Sequence, residues 1–240
     1  MSTVPSLKVP TIGIARSSER FPVRRIFCVG QNYAAHAREM GSDPDRLPPF
    51  FFTKPADAVV PSGSRLPFPM RTDSLHHEVE LVIALREGGV NLRANDTPSL
   101  IFGYAVGIDL TRRDLQAEAK KTGRPWDMSK GFDRSAPVGL LTRGIPPSNG
   151  AIALTIDGEV RQAGDLGDMI WSVADIIAFL STYVAVAPGD LIFTGTPSGV
   201  GPIERGQCVS GTIEGIDPIE VTIELTTGVV RSHRQPPSRT

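Results

Sequence analysis

Three acidic residues and one lysine carry the strongest chemical signal in this chain. Glu78 and Glu80 stand two apart in His-His-Glu-Val-Glu-Leu-Val-Ile-Ala-Leu, Asp109 closes the apolar run that begins at Ile101, and Lys130 lies in Ser-Lys-Gly-Phe-Asp. Side chains on a strand alternate faces, so a strand over 78–85 predicts that both glutamates project to one side. The intervening Val79, Leu81, Ile83 and Leu85 define the opposite, buried face. Carboxylates that converge repel one another unless a cation sits between them, and oxygen-only ligands suit Mg²⁺ or Mn²⁺. His76 and His77 are read as local structure, because such ions prefer oxygen.

Further chemistry is spaced along helices and a glycine-rich loop. His36 and Glu39 are three apart, the spacing of a base and its orienting carboxylate on one helix face, and equally that of a surface pair. Arg113, Gln116 and Lys120 fall at i, i+3 and i+7 on a second helix, a pattern that by itself describes a solvated face. Lys130 among Met128, Gly131 and Phe132 is expected to be partly buried. Gly195 to Gly201 is rich in glycine but lacks the Gly-Lys-Ser/Thr ending of a phosphate loop. It still suits a backbone and Thr196 hydroxyl approaching an anionic ligand. No Gly-x-Ser-x-Gly elbow is present, which argues against a serine hydrolase.

The elements that must position these groups are short. The chain has 240 residues, with 24 Gly and 21 Pro spread throughout, which predicts many turns and short strands. Strands are expected at Arg25–Gly30, Phe50–Thr53, 78–85, 101–109, Ala151–Ile156 and 191–194, with a hairpin turn at Asp157-Gly158. Helices are expected over 32–40, stopping at Gly41, from Thr111 with Asp114 as capping partner, and from Ser172 with Asp175 to about Tyr183. Regular βαβ alternation is missing, so the fold class is α+β and β-rich, with few short helices. Residues 1–20 read as an arm or edge strand, 21–230 as the catalytic domain, and 231–240 as a frayed tail.

Composition excludes several partners. A formal net charge of −1 gives no electrostatic reason to bind nucleic acid or an anionic membrane. No apolar run is long enough to span a bilayer, and the N-terminus lacks a secretory core, so a cytoplasmic protein is expected. Cys28 and Cys208 are far apart and form no paired motif. Cys28 in Ile-Phe-Cys-Val-Gly reads as a buried strand residue.

Taken in order, Cys28 to Met40, Phe52-Thr53-Lys54-Pro55, His77 to Leu81, Asp109 to Gln116, Lys130 to Asp133 and Gly195 to Gly201 resemble the fumarylacetoacetate hydrolase family over residues 24–225. Within it, the chain looks most like the short acylpyruvate and fumarylpyruvate hydrolases. The resemblance implies a mixed β-roll fold and a homodimer, with one divalent cation, Mg²⁺ or Mn²⁺, held per subunit by Glu78, Glu80 and Asp109. It implies that His36 and Glu39 activate water on a mobile lid over 31–49 and that Lys130 is the active-site lysine. It also implies that Arg113, Gln116, Gly195 and Thr196 hold the substrate. The expected reaction is hydrolysis of a carbon–carbon bond in a 2,4-dioxo acid, giving pyruvate and a carboxylic acid such as fumarate, in aromatic-compound degradation. Oxaloacetate decarboxylation, isomerisation of a 2-oxo acid, or a non-catalytic metal- or 2-oxo-acid-binding dimer are the alternatives. Gln31 stands where the family often has arginine, and Arg24, Arg25, Arg38 and Lys54 are the basic candidates to read a second substrate carboxylate.

Overall fold

The computed structural model describes residues 7–39, 41 and 48–225. Its centre is an eight-stranded mixed sheet. In spatial order the strands are Phe50–Lys54, Arg25–Gly30, Asp190–Phe193, Val79–Leu85, Ile101–Ile108, Ala136–Val138 and Val59–Pro61, with Thr142–Arg143 added on Ile101–Ile108. Asp190–Phe193 runs parallel to Arg25–Gly30, and Ala136–Val138 parallel to Val59–Pro61; the other pairings are antiparallel. A second sheet of five strands, Glu159–Asp165, Ala151–Ile156, Cys208–Ile213, Ile219–Ile223 and Ser64–Leu66, packs against it.

All seven residues of Val79–Leu85 are buried. Val79, Leu81, Ile83 and Leu85 join Ile152, Leu154, Val209 and Val221 in the core between the two sheets. Val82 and Ala84, on the other face, join Ile12, Ile14, Ile26, Leu191 and Phe193 in a second core. The expected single buried face is therefore two buried faces. A strand in mid-sheet has neighbours on both sides, which a near-continuous apolar run such as LVIAL permits. Ile12 and Ile14 reach this second core from the short hairpin Thr11–Gly13 with Arg20–Pro22, so part of the 1–20 arm is an edge strand packed on the body.

Helices are few. Helix α1 spans Ala34–Glu39, with Gly41 in the left-handed region beyond it. Helix α2 spans Arg113–Thr122, α3 Asp127–Lys130, and α4 Val173–Tyr183. The Ser172 hydroxyl of α4 accepts from the Asp175 N–H, as the capping signal predicts. The Asp157-Gly158 turn joins its two strands as expected. Helix α2 starts one residue later than predicted, with Arg112 and not Thr111 at its N-cap. Thr111 pairs in a strand with His76, its hydroxyl lies against Glu78, and no side chain caps the helix. Residues 1–6 of the predicted arm, 40 and 42–47 of the 31–49 lid, 226–230 of the predicted domain and the whole 231–240 tail lie outside the described residues.

The register gathers chemistry at one edge of the large sheet. Val79 lies opposite Ile108, Phe193 opposite Val82, and Gly30 opposite Phe50. The residues just beyond those ends, Glu78, Asp109, Thr194 to Thr196 and Gln31, therefore emerge together.

Candidate active site

Glu78 is not part of a continuous strand. It occupies the single-residue break between Leu75–His77, which pairs with Thr111–Arg112 and Gly201–Pro202, and Val79–Leu85, which belongs to the large sheet. The parity expected of a strand nevertheless survives. Glu78, Glu80 and Asp109 are all buried, and one carboxylate oxygen from each lies within 4.8 Å of the others.

Of the cations around the three carboxylates, Lys54 and Lys130 are buried and Arg113 is partly so. Lys130 Nζ donates to Glu78 Oε2 at 2.8 Å and to Asp109 Oδ2 at 2.7 Å. Lys54 Nζ stands 2.7 Å from Asp109 Oδ1 and donates to the Leu110 and Lys130 carbonyls. Arg113 donates to Glu78 Oε1 at 2.7 Å and to the Gln116 amide oxygen. The ring of Phe52 covers Lys130 Nζ at 4.9 Å. Buried ion pairs of this kind are costly to break, about 3–5 kcal/mol for loss of one partner.

These neighbours separate the two glutamates. Burial opposes the charge of Glu78, but Lys130 and then Arg113 hold its carboxyl well below the usual range. Burial, Asp109 and Glu78 together push the Glu80 carboxyl well above it, only partly offset by Lys130 and by the Gly195 N–H at 2.7 Å. Burial likewise disfavours the ammonium of Lys130, yet Asp109 and Glu78 raise it. A buried carboxylate whose charge is opposed by two others, and an Asp109 Oδ1 without a well-aligned hydrogen bond, are what a divalent cation with oxygen preference would relieve. The donor set fits a cation of the Mg²⁺ or Mn²⁺ type.

His36 lines the same cavity as Glu78, Glu80, Lys130, Arg113, Gln116 and Thr196. It is buried on α1, and its Nδ1 lies 3.3 Å from Glu39 Oε2. Glu39 also accepts the Gly199 N–H at 3.2 Å, tying α1 to the glycine loop. Burial lowers His36 below the ordinary histidine value of 6.5. With Nδ1–H donated to Glu39, Nε2 carries the lone pair that can accept a proton near neutral pH. The foot of α1 is pinned by Asn32, whose side chain donates to the Thr194 and Trp171 carbonyls and accepts from Trp171 N–H.

The glycine loop is shaped by two positive dihedral angles. Gly195 has φ +96 and a Cβ there would meet Asn32; Gly199 has φ +93 and a Cβ would lie 2.3 Å from the Arg161 carbonyl. Gly195, expected at the substrate, donates its N–H to Glu80. Thr196 Oγ1 accepts from Gln162 Nε2 at 2.8 Å, and Gln162 Oε1 faces His77 Nδ1 at 2.9 Å.

The sequence profile described as fumarylacetoacetate (FAA) hydrolase C-terminal matches residues 25–229. The chain belongs to this family. The crystal structure of fumarylpyruvate hydrolase from Pseudomonas aeruginosa in complex with Mn²⁺ and pyruvate superposes with a TM-score of 0.90 at 48% identity, covering 94% of this chain and 100% of that one. Fumarylpyruvate hydrolase of a Ralstonia species is 42% identical over 176 residues, 72% of this chain and 92% of that protein. Oxaloacetate tautomerase of Escherichia coli strain K12 is 39% identical over 206 residues, 81% of this chain and 90% of that protein.

The structure differs from the sequence reading of the family's site in three ways. Lys54, considered for a substrate tail, is buried under Asp109, and Arg24 and Arg25 pair with buried Asp190 away from the cavity. Arg113, Gln116 and Lys120 line the cavity, Gln116 buried and Lys120 still exposed at its outer end, so the face is not merely a solvated one. Gln162 supports Thr196 and had no signal: it is a single buried glutamine on a largely exposed strand.

Proposed function

We propose that the protein hydrolyses the C3–C4 bond of a 2,4-dioxo acid, fumarylpyruvate or a related acylpyruvate, to pyruvate and a carboxylic acid. The observation that carries the reading is the buried His36, braced by Glu39, opening into the cavity that holds the three-carboxylate cluster. In this reading Glu78, Glu80 and Asp109 hold one Mg²⁺ or Mn²⁺. When bound, that cation supplies Lewis-acid stabilisation of negative charge on the 2-oxo oxygen.

The chain's own groups do the rest. Arg113 and Gln116, with the Thr196 hydroxyl, orient the substrate carboxylate and oxo groups. His36 Nε2 takes a proton from water as it adds to the C4 carbonyl. Glu39 keeps Nδ1 protonated, fixes the ring, and stabilises the imidazolium that forms. The C3–C4 bond then breaks, its electron pair staying on C3 of the departing pyruvate enolate, and the C4 fragment leaves as the carboxylic acid. Lys130, held charged by Asp109 and Glu78, provides fixed positive charge beside the enolate. Protonation at C3 completes pyruvate. A homodimer working in the cytoplasm in aromatic-compound catabolism belongs to the same reading, and light scattering of the purified protein tests the dimer.

A second reading is favoured by the relatives named oxaloacetate tautomerases: the same buried base moves a proton at C3 of a 2-oxo acid without water attack. Purified protein with Mg²⁺ or Mn²⁺ should be offered fumarylpyruvate, acetylpyruvate and oxaloacetate in parallel, with a chelator control. Chelator-sensitive formation of pyruvate plus fumarate or acetate supports the hydrolase. Enol–keto interconversion or decarboxylation of oxaloacetate, with both acylpyruvates untouched, would sink it.

A further inference from the structure

We propose that Lys120 reads a second carboxylate at the far end of the substrate, so that 2,4-dioxo dicarboxylates, not acylpyruvates with apolar tails, are the preferred class. The inference rests on the hydrolase reading for the orientation of the substrate, with its 2-oxo end at the carboxylate cluster.

Among the described residues, three cationic side chains line the cavity: Arg113, Lys120 and Lys130. Lys130 is spent on Glu78 and Asp109, and Arg113 on Glu78 and Gln116. Among the described residues, Lys120 makes no ion pair or hydrogen bond. Its Nζ sits over the ring of Trp126, 5.2 Å from the centroid, which orients the side chain without neutralising it. Arg113, Gln116 and Lys120 share one face of α2, and seven residues of helix place Lys120 about 10 Å along the axis from Arg113, the order of a short extended dioate. The wall between the two ends is aromatic. Trp126 meets Phe50 edge-on at 5.4 Å and Phe52 at 5.8 Å, and both phenylalanines line the cavity. Such walls suit a flat, conjugated carbon chain, and an exposed lysine at its end suits a carboxylate more than a methyl group. Gln31, also lining the cavity, adds an amide donor but no charge. The other basic candidates do not compete: Lys54, Arg24 and Arg25 are paired elsewhere, and Arg38 is exposed on α1 and does not line the cavity.

Binding without turnover tests this directly. Calorimetry on the Mn²⁺-loaded protein compares 2-oxoheptanedioate with 2-oxoheptanoate, probes that differ only in the terminal carboxylate. Wild type is expected to favour the dioate about 10-fold, as for a hydrogen bond to a charged group. Lys120→Gln should bring the ratio to about one by weakening the dioate alone, and Lys120→Arg should largely restore it. No preference in wild type, binding of neither probe, an unchanged ratio in Lys120→Gln, or equal weakening of both probes would each overturn the assignment. Failure of the hydrolase reading registers separately, as absent cleavage of fumarylpyruvate by wild type with the probe ratio intact.

Discussion

His36 concentrates the residue-scale chemistry, and two outcomes isolate its role. His36→Ala is expected to lower kcat by about 10²–10⁴-fold, the usual contribution of a general base. Calorimetric affinity for oxalate, which mimics the chelating end of the substrate, should change little. A collapse of oxalate affinity would instead make His36 a binding residue. The pH dependence follows from burial. Folding lowers His36 below 6.5, so the neutral base persists as pH falls past the unfolded-state value and is lost only on passing the lower folded value. The acid limb of kcat/KM should therefore lie below pH 6.5. The same shift means that protonation of His36 subtracts stability as pH drops below 6.5, because the unfolded chain binds the proton first. Glu78 is the larger influence raising His36, and Glu39→Gln leaves it in place but removes the contribution of Glu39, so it should move the acid limb lower still while reducing kcat. An acid limb above 6.5 in wild type would contradict the burial argument. These residues were legible as a pair in the sequence, but i, i+3 spacing alone describes many surface pairs. Only the closure of α1 onto the cavity separates the two.

At the scale of elements, the glycine loop and α1 form one unit. Glu39 receives the Gly199 N–H while bonding His36, so the loop positions the helix that carries the proposed base. Gly199→Ala puts a methyl group 2.3 Å from the Arg161 carbonyl in a left-handed conformation. The loop must shift, so kcat is expected to fall at least tenfold through misplacement of Glu39 and His36, with about 1–3 kcal/mol of stability lost to strain. Turnover and urea denaturation measured together check it; wild-type turnover in a destabilised variant would uncouple the loop from the base. The hairpin at Asp157-Gly158 and the Ser172 cap were readable because their signals are local. The start of α2 was not, because Thr111 is drawn into pairing with His76 by a partner strand that no local pattern reveals.

For the whole molecule, the buried charge cluster makes folding and cation binding interdependent. Three carboxylates share one site, and Glu80 is held against its own ionisation by burial and its neighbours. A cation that binds only the folded state should stabilise it by about 2.7 kcal/mol at a hundredfold excess over Kd. Thermal denaturation should show Tm rising with Mn²⁺ and returning with chelator. Glu80→Gln keeps an acceptor for the Gly195 N–H but removes a repelled charge. It is expected to raise Tm in chelator and to abolish the Mn²⁺-induced rise. A Mn²⁺ response equal to wild type would remove Glu80 from the cation site.

The sequence by itself determined the local and the periodic: most strand and helix segments, the Asp157-Gly158 turn, the Ser172 cap, the β-rich class, and the three carboxylates that cluster. These depend on residues within a few positions of one another, or on motifs whose order along the chain is diagnostic. Tertiary structure decided which of them meet. The pairing of Val79–Leu85 with Ile101–Ile108 sets Asp109 beside Glu78, while Asp190–Phe193, more than a hundred residues further on, brings the glycine loop to the same end of the sheet; tertiary contacts also bury Lys54 beneath Asp109, bring Gln162 under Thr196, and make Arg113, Gln116 and Lys120 line the cavity. Long-range pairing carries no signature in the spacing of any one segment, because the free energy that selects it comes from burying both faces of Val79–Leu85 against elements far along the chain.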